Sequence, residues 1–336
     1  MSLIPSPTLD WLRDRNWIAG ESEHGVESLT GGVSSSVWRI KGPKGCVCVK
    51  QSLSQLNVAR QWLVSQKRTQ YEFRWLQYAG ARAPDFVPKV LDYDSATQTL
   101  VLEYLSSSRY TLWKPELLAG RSLPDVPASL GQQLGRLHRL ASVDPSIVQD
   151  FDSADLFEAL RLAPYFRALM EAHPELKPSL SALVRDLQKN RRTLIHGDVS
   201  PKNIFGGPKG AVLLDAECAT WGDPAFDVAM LLSHLFLKGA YRPDHVSLYS
   251  DEARRFWRYY AVEVDWEPAA EFEGRVCSLV PAFMLARLDG KSPVEYLSPV
   301  VKASVVRPWA IQGVLAPDDQ FVTCLSGWES WVKCCE

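Results

Sequence analysis

Leu194-Ile195-His196-Gly197-Asp198-Val199-Ser200-Pro201-Lys202-Asn203, followed by Val212-Leu213-Leu214-Asp215-Ala216-Glu217, is the stretch on which the fold turns. An apolar strand runs into a polar loop, and a second apolar strand ends in two acids. This order predicts a hairpin with Asp198, Asn203 and Asp215 converging at its mouth. Hard oxygen donors of this kind suit magnesium, which takes one or two carboxylates and keeps phosphate and water as its other ligands. A carboxylate left off the metal can accept a proton from a hydroxyl. Phosphoryl transfer needs this division, with charge neutralised at the phosphate and a base orienting the nucleophile. The plainer reading of the loop is a β-turn with a capping Asp. It loses ground once Asp215 and Asp227 are seen at their spacings downstream.

Composition sets the frame around this stretch. The chain has 336 residues, 46% of them apolar and 23% charged, with a formal net charge of −2. That is enough to bury one large core or two moderate ones. No polybasic run suggests a nucleic-acid or membrane-surface binder. No window of membrane-spanning length is free of charge. The start, MSLIPSPTLDWLRDRNW, lacks a basic segment followed by an apolar one, so no secretory leader is expected. The seven cysteines form no C-x-x-C pair. Reduced thiols and a cytoplasmic setting fit this usage better than disulfides or zinc.

Working outward, the first ~105 residues read as strand-rich with one helical interruption. Val37–Ile40 and Cys46–Lys50 flank the turn KGPKG. The second half of Gln55–Tyr78 has helical spacing and is closed by Pro84 and Pro88. Val90–Tyr93 and Thr99–Tyr104 follow as strands. After Ser106–Ser108 the texture turns helical: the stripe Leu130, Leu134, Leu137, then Ser179–Gln188, Phe226–Leu237, Asp251–Val262 and Glu267–Leu288. The expected architecture is α+β: a small β-rich lobe over 1–105, a polar joint near Glu103–Ser108, and a large helical lobe over 106–336 bearing the hairpin.

The pattern H-x-D-x-x-x-x-N with Asp215 beyond it resembles the catalytic and metal-binding loops of the protein-kinase-like superfamily. HGD and DAE in place of HRD and DFG resemble its small-molecule branch: aminoglycoside phosphotransferases, choline kinases, methylthioribose kinase and hydroxytryptamine kinase. So does WGDPAFDVAMLL (Trp221–Leu232), which stands where protein kinases carry A-P-E. The resemblance spans roughly Leu29 to Leu237 and implies the two-lobed kinase-like fold. It implies transfer of the γ-phosphate of Mg·ATP to a small-molecule hydroxyl, with Mg2+ as cofactor and ATP as co-substrate. Asp198 would be the base. Asn203, Asp215 and, by the D-x-E form, Glu217 would hold magnesium. His196 would be a buried loop residue, and Asp227 would brace the loop through backbone N–H groups. Lys50 would meet the α- and β-phosphates, with Glu72 as its ion-pair partner. Gly31, Gly32, Ser34 and Ser35 would cover the phosphates, although the segment departs from G-x-G-x-x-G. The backbone at Glu103 and Leu105 would meet adenine.

The acceptor side is less determined. Glu263, Asp265, Glu267, Glu271 and Glu273 form an acidic run, and amine acceptors in this superfamily are commonly met by acidic pockets. Glu267, Glu271, Arg287 and Trp221, the last as a stacking platform, are therefore candidate acceptor contacts. A solvated helix edge is the alternative for the acids. Val87–Leu118 is also similar to the corresponding segment of methylthioribose kinase. A small-molecule acceptor, with no nucleic acid and no membrane, is the expected partner. A nucleotide-binding module without activity is the competing reading from another class. Retention of Lys50, Asp198 and Asp215 argues against it.

Overall fold

The structure is a computed structural model describing residues 4–19, 25–29, 35–53 and 67–335. Its contacts form two compact units, Met1–Tyr110 and Thr111–Glu336. The dividing point falls just beyond the polar joint read at Glu103–Ser108.

The first unit contains α1 (Ser6–Asp14), β1 (Val26–Leu29), β2 (Ser35–Gly42), β3 (Gly45–Ser52), α2 (Arg68–Arg82), β4 (Val90–Asp94) and β5 (Thr99–Glu103). The strands make one antiparallel sheet in the order β1-β2-β3-β5-β4. KGPKG closes the β2–β3 hairpin with Gly42 opposite Gly45. Gly45 sits at φ +107°, where a side chain is strained. Side chains alternate across β3. Val47 and Val49 join Leu9, Leu12, Trp17, Trp38 and Ile40 in one core, which α1 covers. Lys50, of opposite parity, meets Glu72 of α2. α1 was not read from the sequence. It is short, begins with a proline in its first turn, and draws its stability from burying Leu9 and Leu12.

The second unit contains β6 (Thr111–Leu112), α3 (Trp113–Leu118) and α4 (Asp125–Ser142). Next, α5 (Ala154–Phe157) runs through a π-helical segment, Glu158–Arg167, into α6 (Ala168–Ala172). Pro164 lies inside that segment. It cannot donate the helical hydrogen bond, and the wider turn accommodates the loss. α7 (Lys177–Lys189), β7 (Thr193–Ile195), β8 (Ile204–Gly207), β9 (Gly210–Leu213) and β10 (Thr220–Gly222) follow. Then come α8 (Ala225–Tyr241), α9 (Val246–Ala261), α10 (Ala269–Asp289), α11 (Pro299–Val301), α12 (Arg307–Leu315) and α13 (Phe321–Cys334). α8 is buried nearly all round and packs against α9 and α10. α4 packs on α9 through Gly131, where a Cβ would fall 2.4 Å from the Phe256 carbonyl oxygen.

One expectation is corrected. Thr193–Ile195 does not pair with Val212–Leu214. The hairpin is Ile204–Leu213, closed at Gly207 and Gly210, with β6 on its outer edge. β7 pairs instead with β10. The turn at Pro201–Asn203 separates β7 from the hairpin. Its mouth therefore holds Asn203 and Asp215, and Asp198 reaches it by a side-chain bond. All seven cysteines are free. Among the described residues no helix is long and apolar enough to cross a membrane.

Candidate active site

The loop that leaves β7 hangs from a single carboxylate. Asp227, buried in the first turn of α8, accepts from His196 N (2.7 Å) on Oδ2 and from Gly197 N (2.8 Å) on Oδ1. Its place at a helix N-terminus favours the negative charge. His138 Nε2 lies 3.3 Å from Asp227 Oδ2, and His138 Nδ1 bonds the Tyr260 hydroxyl at 2.7 Å. Gly197 has φ +77°, and a Cβ there would lie 2.6 Å from the Cys218 carbonyl oxygen. Only glycine fits. His196 is fully buried. Its Nδ1 accepts from Asp198 N (3.1 Å) and its Nε2 contacts Leu214 O (3.1 Å), so Nε2 carries the proton. Burial lowers its pKa. With both nitrogens used and the ring neutral, His196 holds the loop's shape.

Asp198 is 5% exposed. Three donors converge on its Oδ2: Lys202 Nζ at 2.9 Å, Asn203 Nδ2 at 2.9 Å and Arg161 Nη2 at 3.2 Å. Burial alone pushes the carboxyl up. The Lys202 ammonium and the Arg161 guanidinium outweigh it and hold the group below the usual carboxylate range. Arg161 also donates to the Gly197 and Leu160 carbonyls. The sequence reading missed Arg161, Lys202 and His138. Lys202 was visible as the fourth residue after Asp198. Arg161, on the π-helical segment, and His138, on α4, carry no local signal.

Asn203 Nδ2 donates to both Asp198 O (3.0 Å) and Asp198 Oδ2, which turns its amide oxygen the other way. Leu214 N donates to Asn203 O at 2.9 Å and so sets Asp215 beside Asn203. Asp215 adopts φ +69°. Such a conformation in a residue with a side chain costs about 1–3 kcal/mol and clusters at functional sites. Glu217 is buried at 6% exposure and is no solvated acid. Among the described residues no three His, Cys, Asp or Glu side chains converge as a cage. The donors are instead an amide oxygen and carboxylates. They fit a divalent ion that completes its shell with phosphate and water.

In the first unit, Lys50 Nζ meets Glu72 Oε1 at 2.9 Å and Oε2 at 2.7 Å, with both residues buried. Ser35 opens β2, and its buried Oγ has no hydrogen-bond partner among the described residues. Gly31, Gly32 and Ser34 lie outside the described residues. Glu103 donates its backbone N–H to Lys89 O at 3.0 Å, so its amide is not available to a base. Leu105 is half-buried.

The acceptor contacts read from the sequence have the following surroundings. The Glu267 side chain is 1% exposed and is held by Arg275 at 2.7 Å. The same guanidinium binds Asp223 at 2.9 Å. Glu263 pairs with Arg139 at 3.0 Å, and Glu273 accepts from Phe321 N at the start of α13. These charges knit helices together. Glu271 is exposed, and its carbonyl accepts from Arg275. Trp221 lines a cavity of about 380 Å³ with Phe157, Leu187, Arg191 and Phe226, whose lining includes none of Asp198, Asn203 or Asp215. Arg287 donates from Nη1 to Ser292 Oγ at 2.7 Å.

Residues 25–272 match the phosphotransferase enzyme family, APH. The chain is 23% identical over 291 residues to methylthioribose kinase of Bacillus cereus (strain G9842), covering 79% of this chain and 72% of that protein. It is similar in structure to an amicoumacin kinase in complex with AMP-PNP, Ca2+ and Ami (TM-score 0.56, 15% identity, 95% and 96% of the chains covered). It is also similar to choline kinase from Cryptosporidium parvum (TM-score 0.51, 11% identity, 98% and 95% covered). At these identities the two structures establish a shared kinase-like fold.

Proposed function

The chain belongs to the phosphotransferase enzyme (APH) family and is a small-molecule kinase, and we propose that it moves the γ-phosphoryl group of Mg·ATP to a small-molecule hydroxyl with Asp198 as the base. One observation carries the reading. Lys202, Arg161 and Asn203 all engage Asp198 through Oδ2, which leaves Oδ1 as the oxygen for an acceptor hydroxyl on a carboxylate kept ionised. In the transfer, the bond from the γ-phosphorus to the bridging oxygen breaks and the acceptor oxygen bonds to phosphorus. The hydroxyl proton passes to Asp198, late in a loose transition state.

Asn203, Asp215 and Glu217 would hold magnesium, which when bound neutralises phosphate charge. Arg161 and Lys202 keep Asp198 deprotonated and fixed. Asp227 holds His196 and Gly197, and thereby the loop. Lys50, oriented by Glu72, meets the nucleotide's phosphates, and the unpartnered Ser35 Oγ is a further donor for them. The D-x-E form and the 23% identity to methylthioribose kinases support a polyol or sugar-type acceptor as the second, narrower reading. An ATP-consumption screen over sugars, amino alcohols, aminoglycosides and hydroxy acids tests the proposal. Acceptor-dependent ADP release is expected. Its absence across the panel, with no stabilisation by Mg·AMP-PNP, would overturn transfer.

A further inference from the structure

A second charged cluster lies in the helical unit, and the transfer machinery described above does not use it. Lys238 of α8 is 1% exposed. Its ammonium donates to His234 O at 3.4 Å, one turn back on its own helix, and stands 5.3 Å over the Tyr296 ring. No carboxylate pairs with it among the described residues. Arg287, from the end of α10, has a buried Nε with no hydrogen-bond partner, and so does the Tyr296 hydroxyl. Lys114 of α3 is paired with Glu295 at 2.6 Å. Three cations therefore face one carboxylate, beside the His234 ring. Burial, then Lys114 and Arg287, push Lys238 down to about 7.

Leaving such donors buried and unsatisfied is costly, and an oxyanion would satisfy them together. The cluster also adjoins the catalytic loop. α3 packs on the Pro201–Asn203 turn and on α8. Lys202, the ion-pair partner of Asp198, is one of the cations acting on His234.

We infer that Lys238 and Arg287, with Tyr296 and His234 beside them, seat an anionic group of the acceptor, a carboxylate or a phosphate. The inference rests on the transfer reading above and narrows its acceptor class. An anionic acceptor is repelled by a polyphosphate donor, and buried cations offset that repulsion. Three acids of the acidic run are already engaged: Glu263 by Arg139, Glu267 by Arg275 and Glu273 by the start of α13.

The test separates the anion site from the transfer. Melting temperature is followed for the full chain saturated with Mg·AMP-PNP and titrated with inorganic phosphate or with glycerate; the stronger anion identifies the preferred headgroup. Either anion should raise it in the wild type and in Lys50→Ala, and neither in Lys238→Met or Arg287→Gln. Without added anion, Lys238→Met should melt no lower than wild type, because it removes a buried, unpaired charge. Loss of the shift is then not loss of fold. In turnover, a hydroxy acid should exceed its own amide in kcat/KM by about tenfold or more, and Arg287→Gln should erase that ratio while the KM for ATP stays put. Equal anion shifts in wild type and both variants, no shift in any of them, or a preference for the amide would overturn the inference. A missing response to Mg·AMP-PNP alone would count against the transfer reading instead.

Discussion

Asp198 is a buried carboxylate whose negative charge Lys202 and Arg161 support and which the proposed transfer requires. Asp198→Asn keeps shape and some hydrogen bonding but removes basicity. It should lower kcat by about 10²-fold or more and leave nucleotide affinity close to wild type. From the sequence alone the same change would be expected to leave the melting temperature intact. The buried Arg161 guanidinium changes that expectation. It would lose its ionised partner, a cost on the order of 2 kcal/mol. Asp215→Asn should divide differently. On the proposed function it removes a magnesium ligand, so the concentration of Mg·ATP needed for half-maximal rate should rise along with the fall in kcat. Measuring kcat, ATP affinity and melting temperature on both variants decides the assignment, and near-wild-type turnover in Asp198→Asn would show another base at work.

At the scale of elements, single carboxylates act as pins. Asp227 ties α8 to the loop after β7. Asp227→Ala leaves two buried backbone donors unpaired and should cost about 2–6 kcal/mol, at about 1–3 kcal/mol per group, visible as a lower urea midpoint. Glu329 ties α13 to α9. It meets Lys333 at 2.8 Å, Arg254 at 2.9 Å and Ser247 at 3.0 Å. Lys333 first, then Arg254 and the serines, overcome burial and depress its pKa to about 2. A depressed carboxylate stabilises the fold above its unfolded value, near 4.3, and that stability is lost as pH falls toward 2. Glu329→Gln should therefore reduce stability at pH 7 by an amount on the order of 2 kcal/mol, seen as a lower melting temperature. The difference from wild type should shrink between about pH 4.5 and 2. A difference that stays constant across that range would rule out the ionised form as the source.

For the molecule as a whole, ligand binding and folding are linked. A nucleotide that binds only the folded chain stabilises it by about 2.7 kcal/mol at a hundred times its dissociation constant. Mg·AMP-PNP should raise the melting temperature accordingly. Lys50→Ala should reduce that shift, because the Lys50–Glu72 pair is what presents the ammonium. Lys50→Ala also removes the ion-pair partner of the buried Glu72, so its apo melting temperature should fall too. Only the nucleotide-dependent difference reports on binding, and a shift equal to wild type would remove Lys50 from the site.

Local chemistry was enough to read HGDVSPKN, the acids at Asp215 and Glu217, and Asp227, because the spacing of donors along one loop and its flanking strands is a property of consecutive residues. It was also enough for the strands around KGPKG and for the helices over α7, α8, α9 and α10, since α7 and α9 carry an apolar stripe and α8 and α10 are apolar runs too long for strands. The β7–β10 pairing and the short α1 could not be read, because three-residue strands and a nine-residue helix are held by neighbours distant in the chain. Only tertiary structure brought Arg161 and His138 to the loop, since a helix face carries no mark of what it will touch. It also reversed the meaning of charge. Three acids of the run, conspicuous in sequence, are engaged by Arg139, Arg275 and a helix start, whereas Lys238, the lone cation of α8, is buried with no carboxylate paired to it among the described residues, and Arg287 has a buried Nε without a hydrogen-bond partner. Sequence counts charges, but burial and pairing determine which of them are left for a ligand.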